Sequence, residues 1–436
     1  MSPSTDKDPP TLNEEATLQE YLRYAALNNP GLEAAWQRWR AAMERIPQVT
    51  SLPEPMLKYG YYLEEVETRV GPQEQRFTLS QMFPWFGKLR LKGERAALAA
   101  EAKWEEYQAK KLKLFHRVKK AYADYYFTGQ SISITKENLE LLKYLEGVAR
   151  EAYRADRAKH SSVVRAQVEM GKLEDRLETL HEMRQPRAAA LNAALGRPAT
   201  AKVPMPESLP EERISARQEQ LLSWLEEANP QLRGLRHRVE KAQKSVELAQ
   251  KQYWPDFSFG VTYIETGSAV MSTDESGKDP VIAMGGVSLP IWWQKYSAGV
   301  REARSRVRAA RRSMSDKYYN LQSGLKQALF GVEDARRKME LYEETLIPKA
   351  EESLKVTRTG FRTGEADFMD LLDAQRTLLD FQLTVERARA DHLARLARLE
   401  KLIGRAVPRA GGEKPTGKAP PENKDPENGD DNRSEQ

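Results

Sequence analysis

Five histidines, His116, His160, His181, His237 and His392, are the ring nitrogens available to bind a metal or move a proton, and they are scattered without ligand spacing. The chain has no cysteine, which removes thiolate metal sites, cysteine nucleophiles and disulfides. No glycine-rich phosphate loop of the Walker type occurs, and Gly411-Gly412-Glu413-Lys414 falls in a polar tail. The 64 acidic residues are too many for any pair to stand out as an acid–base couple. Catalysis, a cofactor and a metal site are therefore not expected. The densest chemical feature is cationic: Arg301 to Arg312 holds six arginines in twelve residues, with Arg304, Arg308 and Arg311 on one helix face. A phosphate-binding surface would use such a run. Yet the matching stretch Arg95 to Glu106 lacks the charge, no aromatic stacking platform accompanies the arginines, and the net charge is only +5 among 69 basic and 64 acidic residues. A solvated or lumen-facing helix surface is the better reading, with no nucleic-acid partner.

The aromatic residues are placed more tellingly. Trp85, Trp254, Trp292 and Trp293, half of the eight tryptophans, sit at the ends of four short segments. Leu57, Tyr59, Tyr61 and Leu63 alternate with Lys58, Gly60 and Tyr62. Phe77, Leu79 and Phe83 alternate with Thr78, Ser80 and Met82. Phe257, Phe259, Val261 and Tyr263 alternate with Ser258, Gly260 and Thr262. Val281 to Leu289 is apolar with glycines. Period two over nine or ten residues is what a tilted membrane strand needs, and indole at one rim suits a membrane interface. The plainer alternative has the four tryptophans capping the junction between sheet and helices. Glu64 to Glu74 and Glu265 to Asp279 are polar connections, so the strands pair as two hairpins. Two hairpins leave open edges, which lipid does not tolerate. If the chain spans a membrane, several copies must close the sheet.

Long helices must position these strands. No proline falls between Pro84 and Pro186, and only Pro348 between Pro290 and Pro408. Because proline is excluded from helix interiors, these gaps admit helices of fifty residues or more. Leu112, Phe115, Val118, Tyr122 and Tyr125 step by three or four, as do Leu371, Ala374, Leu378, Phe381 and Val385. Helices this long pack on one another as coiled coils. At 31% charged and 8% aromatic residues, the composition suits such helices. No uncharged stretch reaches the ~20 residues of a spanning helix.

The chain also repeats itself. Asn29-Pro30-Gly31-Leu32 answers Asn229-Pro230-Gln231-Leu232, and Pro55 and Gly60 answer Pro255 and Gly260, all 200 residues apart. Leu195-Gly196-Arg197 answers Ile403-Gly404-Arg405 at an offset of 208. Such matched punctuation marks an internal duplication. It divides the chain into a flexible N-terminal segment, 1–16, a first repeat, 17–208, with its hairpin at 56–83, a second repeat, 209–408, with its hairpin at 256–290, and a disordered tail, 409–436. The first residues, Met1 to Asp6, show neither the basic nor the apolar region of a secretory signal.

Four stretches resemble the outer-membrane efflux proteins of the TolC family: the two Asn-Pro-x-Leu openings, the run Ser80 to Leu89, and Phe361 to Gln375. The likeness covers roughly Thr17 to Val407. It implies a mainly α fold with a small β part, in which each subunit of a homotrimer gives four strands to a twelve-stranded barrel in the outer membrane. The long helices would form a tunnel across the periplasm, docked on an adaptor and an inner-membrane pump. The turn-backs Arg154 to Arg165 and Arg362 to Asp373 would form the periplasmic mouth. By the resemblance, Asp370 and Asp373, with Asp367 beside them, ring the closed aperture, where carboxylates from three copies would attract cations and repel anions. Arg165 corresponds to Asp373 across the repeat and, if the two turn-backs lie side by side, would pair with it to lock the closed state. Arg157, Lys159, Gly364 and Glu365 would form the adaptor-docking tips, with Gly364 permitting close backbone approach. The resemblance leaves the cargo open among drugs, metal ions and proteins. The competing reading, a structural coiled-coil protein outside the membrane, gives the four alternating segments no purpose.

Overall fold

A computed structural model describes residues 12, 16–210, 214–270 and 274–408. Apart from Leu12 and Ala16, the segments expected to be flexible at 1–16 and disordered at 409–436 lie outside the described residues.

The first half runs α1 (Leu18–Asn28), α2 (Pro30–Met43), α3 (Arg45–Thr50), β1 (Met56–Val66), β2 (Gln73–Phe83), α4 (Lys88–Arg154) and α5 (His160–Leu195). The second runs α6 (Gln218–Ala228), α7 (Pro230–Lys251), β3 (Phe257–Thr266), β4 (Val281–Val287), α8 (Trp293–Leu341), α9 (Ile347–Thr363) and α10 (Phe368–Ile403). The 67 residues of α4 make a rod roughly 100 Å long at about 1.5 Å per residue. A single π turn, Tyr342–Leu346, joins α8 to α9. Pro348 explains it. A proline ring clashes with the carbonyl four residues back and brings no N–H, so the helix widens locally, and the Ile347 N–H reaches Tyr342 O five residues back. Pro186 is carried inside α5 without ending it.

Each half closes with the same lock. In the first, Asn29 caps α2, its Oδ1 accepting the Leu32 N–H at 3.1 Å while its Nδ2 donates to Ala194 O at 3.0 Å, near the end of α5. In the second, Asn229 Oδ1 accepts from the Gln231 and Leu232 N–H groups at 2.8 and 3.1 Å, and its Nδ2 donates to Leu402 O at 2.6 Å, near the end of α10. Proline at the first helical position fits the cap. The glycine after each returning helix is left-handed, with φ +82° at Gly196 and +83° at Gly404; a Cβ there would lie 2.8 Å from Asn28 O or 2.3 Å from Ala228 O. The following arginines lie over rings, Arg197 on Tyr24 and Arg405 on Trp224. The returning helix of each half thus abuts the start of a shorter helix, and the two run alongside the long rod. Buried side chains repeat as well: Tyr21, Leu32, Leu191 and Leu195 in one cluster, Leu221, Leu232, Leu399 and Ile403 in another. A third cluster, with Leu142, Leu145, Ala166, Phe368, Leu371 and Leu372, lies toward the turn-backs.

The four strands form one antiparallel sheet in the order β1-β2-β3-β4. Leu57, Leu79, Val261 and Ala283 lie on one rung, and Tyr59, Phe77, Tyr263 and Val281 on another. Side chains alternate across a sheet, so these residues share one apolar face, where Leu57 is 69% and Tyr59 59% exposed. The opposite face carries Lys58, Thr78, Thr262 and Ile282 on one rung, and Ser80, Gly260 and Met284 on another. Thr78 and Thr262 hydroxyls meet there at 2.9 Å. The outer edges of β1 and β4 have no partner among the described residues.

Candidate functional site

At the sheet–helix junction the two halves are latched together. Asp256 Oδ1 accepts the Trp85 N–H at 2.7 Å and Lys88 Nζ at 2.8 Å, and Lys88 also donates to Trp254 O at 2.9 Å. Lys88 is buried, and its pairing with that carboxylate offsets the cost of burying it. Trp85 stacks on Trp254, with ring centroids 5.0 Å apart and planes 14° apart, and on Phe257 at 5.6 Å. The expected tryptophan set therefore divides. Trp85 is half-buried in the junction, whereas Trp254, Trp292 and Trp293 are 50%, 67% and 65% exposed.

The opposite end holds two turn-backs. Residues 155–159 join α4 to α5, with Asp156 at φ +60° and the Arg157 N–H bonded to Ala152 O at 2.8 Å. Arg154, Arg157, Lys159 and His160 are all exposed there. Residues 364–367 join α9 to α10. Gly364 has φ +87°, and a Cβ placed on it would touch nothing within 4 Å. Within the subunit this glycine answers backbone handedness. Glu365 is exposed beside it, its N–H on Gly360 O at 2.8 Å.

The expected aspartates cap α10 first of all. Asp367 Oδ1 accepts the Phe368 N–H at 2.6 Å, and Asp370 Oδ2 accepts the Asp367 N–H at 3.1 Å. Their negative charge suits a helix N-terminus. All three carboxylates, Asp367, Asp370 and Asp373, are exposed. Asp373 is held by Arg376 rather than by Arg165: Nη1 lies 3.0 Å from Asp373 Oδ1. The same guanidinium reaches α5, with Nη2 2.6 Å from Glu169 Oε1 and Nε 3.2 Å from Oε2. Arg165 is exposed and makes no ion pair among the described residues. Glu169, one turn further along α5, is met by the planar fork of Arg376, which spans both carboxylates at once. The hydrogen bond from Arg376 holds the Glu169 carboxyl below its ordinary range. Two glutamines 208 residues apart tie the turn-backs to α4. Gln167 donates to Glu146 at 3.1 Å and Gln375 to Asn138 at 3.1 Å. Sequence reasoning missed the Arg376 clamp. A signal existed, since Glu169 and Arg376 stand 207 residues apart, one short of the local repeat offset.

The sequence profile of outer membrane efflux proteins matches residues 22–197 and again 221–405. The chain belongs to the outer membrane efflux protein family. This efflux protein is therefore an outer-membrane channel acting within an efflux system, extending into the periplasm, and not an enzyme. Its fold is similar to that of the outer-membrane channel OprN, at TM-score 0.77 and 16% identity over 93% of this chain and 95% of that one. The Campylobacter jejuni CmeC outer membrane channel is similar at TM-score 0.73 and 14% identity, over 94% and 92%. The open state of the Neisseria gonorrhoeae MtrE outer membrane channel is similar at 0.72 and 18%, over 91% of each. No curated protein matches significantly in sequence. The alternative of a structural coiled-coil protein outside the membrane fails on the family match.

Proposed function

We propose that this efflux protein is a homotrimer whose subunits pool four strands each into a twelve-stranded barrel. In this reading it is the passive exit duct of a tripartite efflux or type I secretion assembly, gated at its periplasmic tip. The observation that carries the proposal is the sheet: an apolar exposed face bounded by the unpartnered edges of β1 and β4. Unpaired backbone groups cost several kcal/mol each in lipid, so a lone copy cannot sit there, whereas closure with identical neighbours satisfies every edge. Trp254, Trp292 and Trp293 then meet the membrane interface, with Trp85 packed behind them.

At the other end, the exposed Asp367, Asp370 and Asp373 of three copies converge as the gate. The docking tips for a periplasmic adaptor are Arg157 and Lys159 on one turn-back and Gly364 and Glu365 on the other. A groove of about 1010 Å³ between them, lined by Lys143, Arg150, Arg154, Arg157 and Arg362 against Glu146 and Glu151, favours an acidic helical hairpin as that adaptor's contribution. The inner-membrane pump supplies the energy, because the duct has no chemistry of its own. Native mass spectrometry of protein exported to the outer membrane and extracted in mild detergent tests the assembly. A species of three 49.8 kDa chains is expected, and a monomer overturns it.

A further inference from the structure

The polar face of the sheet carries two unpaired cations. Lys58 stands opposite Thr78, and Arg76 opposite Gly60, two rungs further from the helices. Both are exposed. Ion pairs near the sheet join Arg69 and Lys278 to Glu275 at the loop end and Lys88 to Asp256 at the base. Among the described residues, Lys58 and Arg76 have none. The other side chains on these rungs, Thr78, Thr262, Ile264 and Ile282, are uncharged. Glu64 and Glu74 stand nearer the loops, within the shifts in register at Tyr61/Val66 and Gln73/Gln75. Since the other face is apolar and aromatic, the polar face is the one that lines the lumen of a membrane barrel.

We infer that Lys58 and Arg76 form a cationic belt inside the barrel that makes this end of the duct prefer anions, whether small ions or cargo bearing carboxylate, phosphate or sulfate groups. The inference rests on the barrel reading above. Three copies bring six cations to neighbouring levels. Twelve strands about 4.8 Å apart and tilted by about 40° close to a cylinder roughly 24 Å across. Long side chains reach roughly 6 Å in from that wall, so the axis lies within the Debye length of about 8 Å at physiological salt. A charge belt at that range acts on everything that passes. It has the opposite sign to the aspartates at the far end, so the two constrictions would filter differently.

The test is the reversal potential of the full-length protein in planar bilayers under a KCl gradient near 0.1 M. Neutralising the belt with Lys58→Gln/Arg76→Gln is expected to lower the chloride-to-potassium permeability ratio at least about threefold, the effect of half a kT of lumen potential acting oppositely on the two ions. The charge-conserving Lys58→Arg/Arg76→Lys protein should keep the native ratio. At 1 M salt, where the Debye length falls to about 3 Å, the difference should shrink. If the double variant yields no channels, the single substitutions carry the same reading at smaller size. Channels with an unchanged ratio in the neutralised protein overturn the belt alone. A native protein that forms no channels overturns the barrel reading on which it rests.

Discussion

Breaking the clamp between α5 and α10 should loosen the tip of the channel. In each subunit Arg376 holds Glu169 through two contacts, at 2.6 and 3.2 Å, and Asp373 through one, at 3.0 Å. The Glu169 side chain is 14% exposed and that of Arg376 41%. A bidentate charge-assisted pair is stronger than the 0–1 kcal/mol typical of surface pairs, but the exposure of the arginine calls for a discount. About 1 kcal/mol per subunit is the reasonable figure, roughly 3 kcal/mol for three copies opening together. If opening separates the turn-backs, Arg376→Ala shifts the closed-to-open equilibrium by about a hundredfold. Asp373→Asn should do far less, since the Glu169 contacts remain. The assay is single-channel open probability in planar bilayers, paired with trimer content so that misassembly is not read as opening. Acid provides a second arm. Because the Glu169 carboxyl is held below its ordinary value of 4.5, the clamp is fully present above that pH and is lost as pH falls through the lowered value. Opening in wild type should therefore rise below about pH 4.5, and the Arg376→Ala protein should show less of that rise. An intact Arg376→Ala trimer with wild-type open probability at neutral pH would refute the clamp.

The repeated lock is open to simple tests. Asn229→Ala removes the α7 cap and strands the Leu402 carbonyl in a buried site, so unfolding in urea should shift by about 2–3 kcal/mol. Gly404→Ala forces a left-handed residue and a 2.3 Å contact with Ala228 O, and should fail to assemble or lose at least as much. His116 is held neutral by burial and by Lys401, Arg398, Lys120 and Lys119, with its pKa lowered to about 4. The unfolded chain therefore binds more protons, and stability falls as pH drops from 6.5 toward 4, by at most about 3 kcal/mol per subunit. His116→Gln should flatten that part of a stability–pH profile measured by urea midpoint.

Much of the architecture was legible because its devices are punctuation. Asn-Pro openings, glycines after long helices and the proline-free gaps each have one local cause, so residue type alone exposes them. Strand placement was equally direct, since period-two alternation reports a face before any partner is known. The structure extended β1 to Val66 and β3 to Thr266, because strand ends are polar and pair by backbone. What sequence could not rank was polar pairing. With so many carboxylates and cations available, the repeat offset singled out Arg165 for Asp373 and gave no reason to weigh Arg376. The choice depends on which side chain spans two helices, a matter of three-dimensional reach. The division among the tryptophans was hidden for a like reason: Trp85 and Trp254 are 169 residues apart and stack only because β2 pairs with β3 and the Asp256 latch closes beside them.

The duplication also explains why a helical rod of this length can be both stable and movable. A helix roughly 100 Å long with no globular core needs flanking helices along its whole length. Each half supplies them in two pieces, a returning helix below and a shorter one above, joined at the asparagine lock. Covalent continuity is thus broken at 195–197 and 403–405 while packing continuity is kept. The pieces on the lower side, α5 and α10, are anchored at one end by the locks and at the other by the apolar cluster around Phe368 and Leu371, the glutamine hydrogen bonds and the Arg376 clamp. Motion is cheapest where the anchors are polar and exposed. Opening should accordingly be confined to the half below the locks and leave the sheet and its latch unchanged. Amide exchange should report this as faster turnover in 150–175 and 360–380 of the Arg376→Ala protein with no change in 85–100. Equal acceleration in both regions would mean that the rod moves as one body and the locks do not divide it.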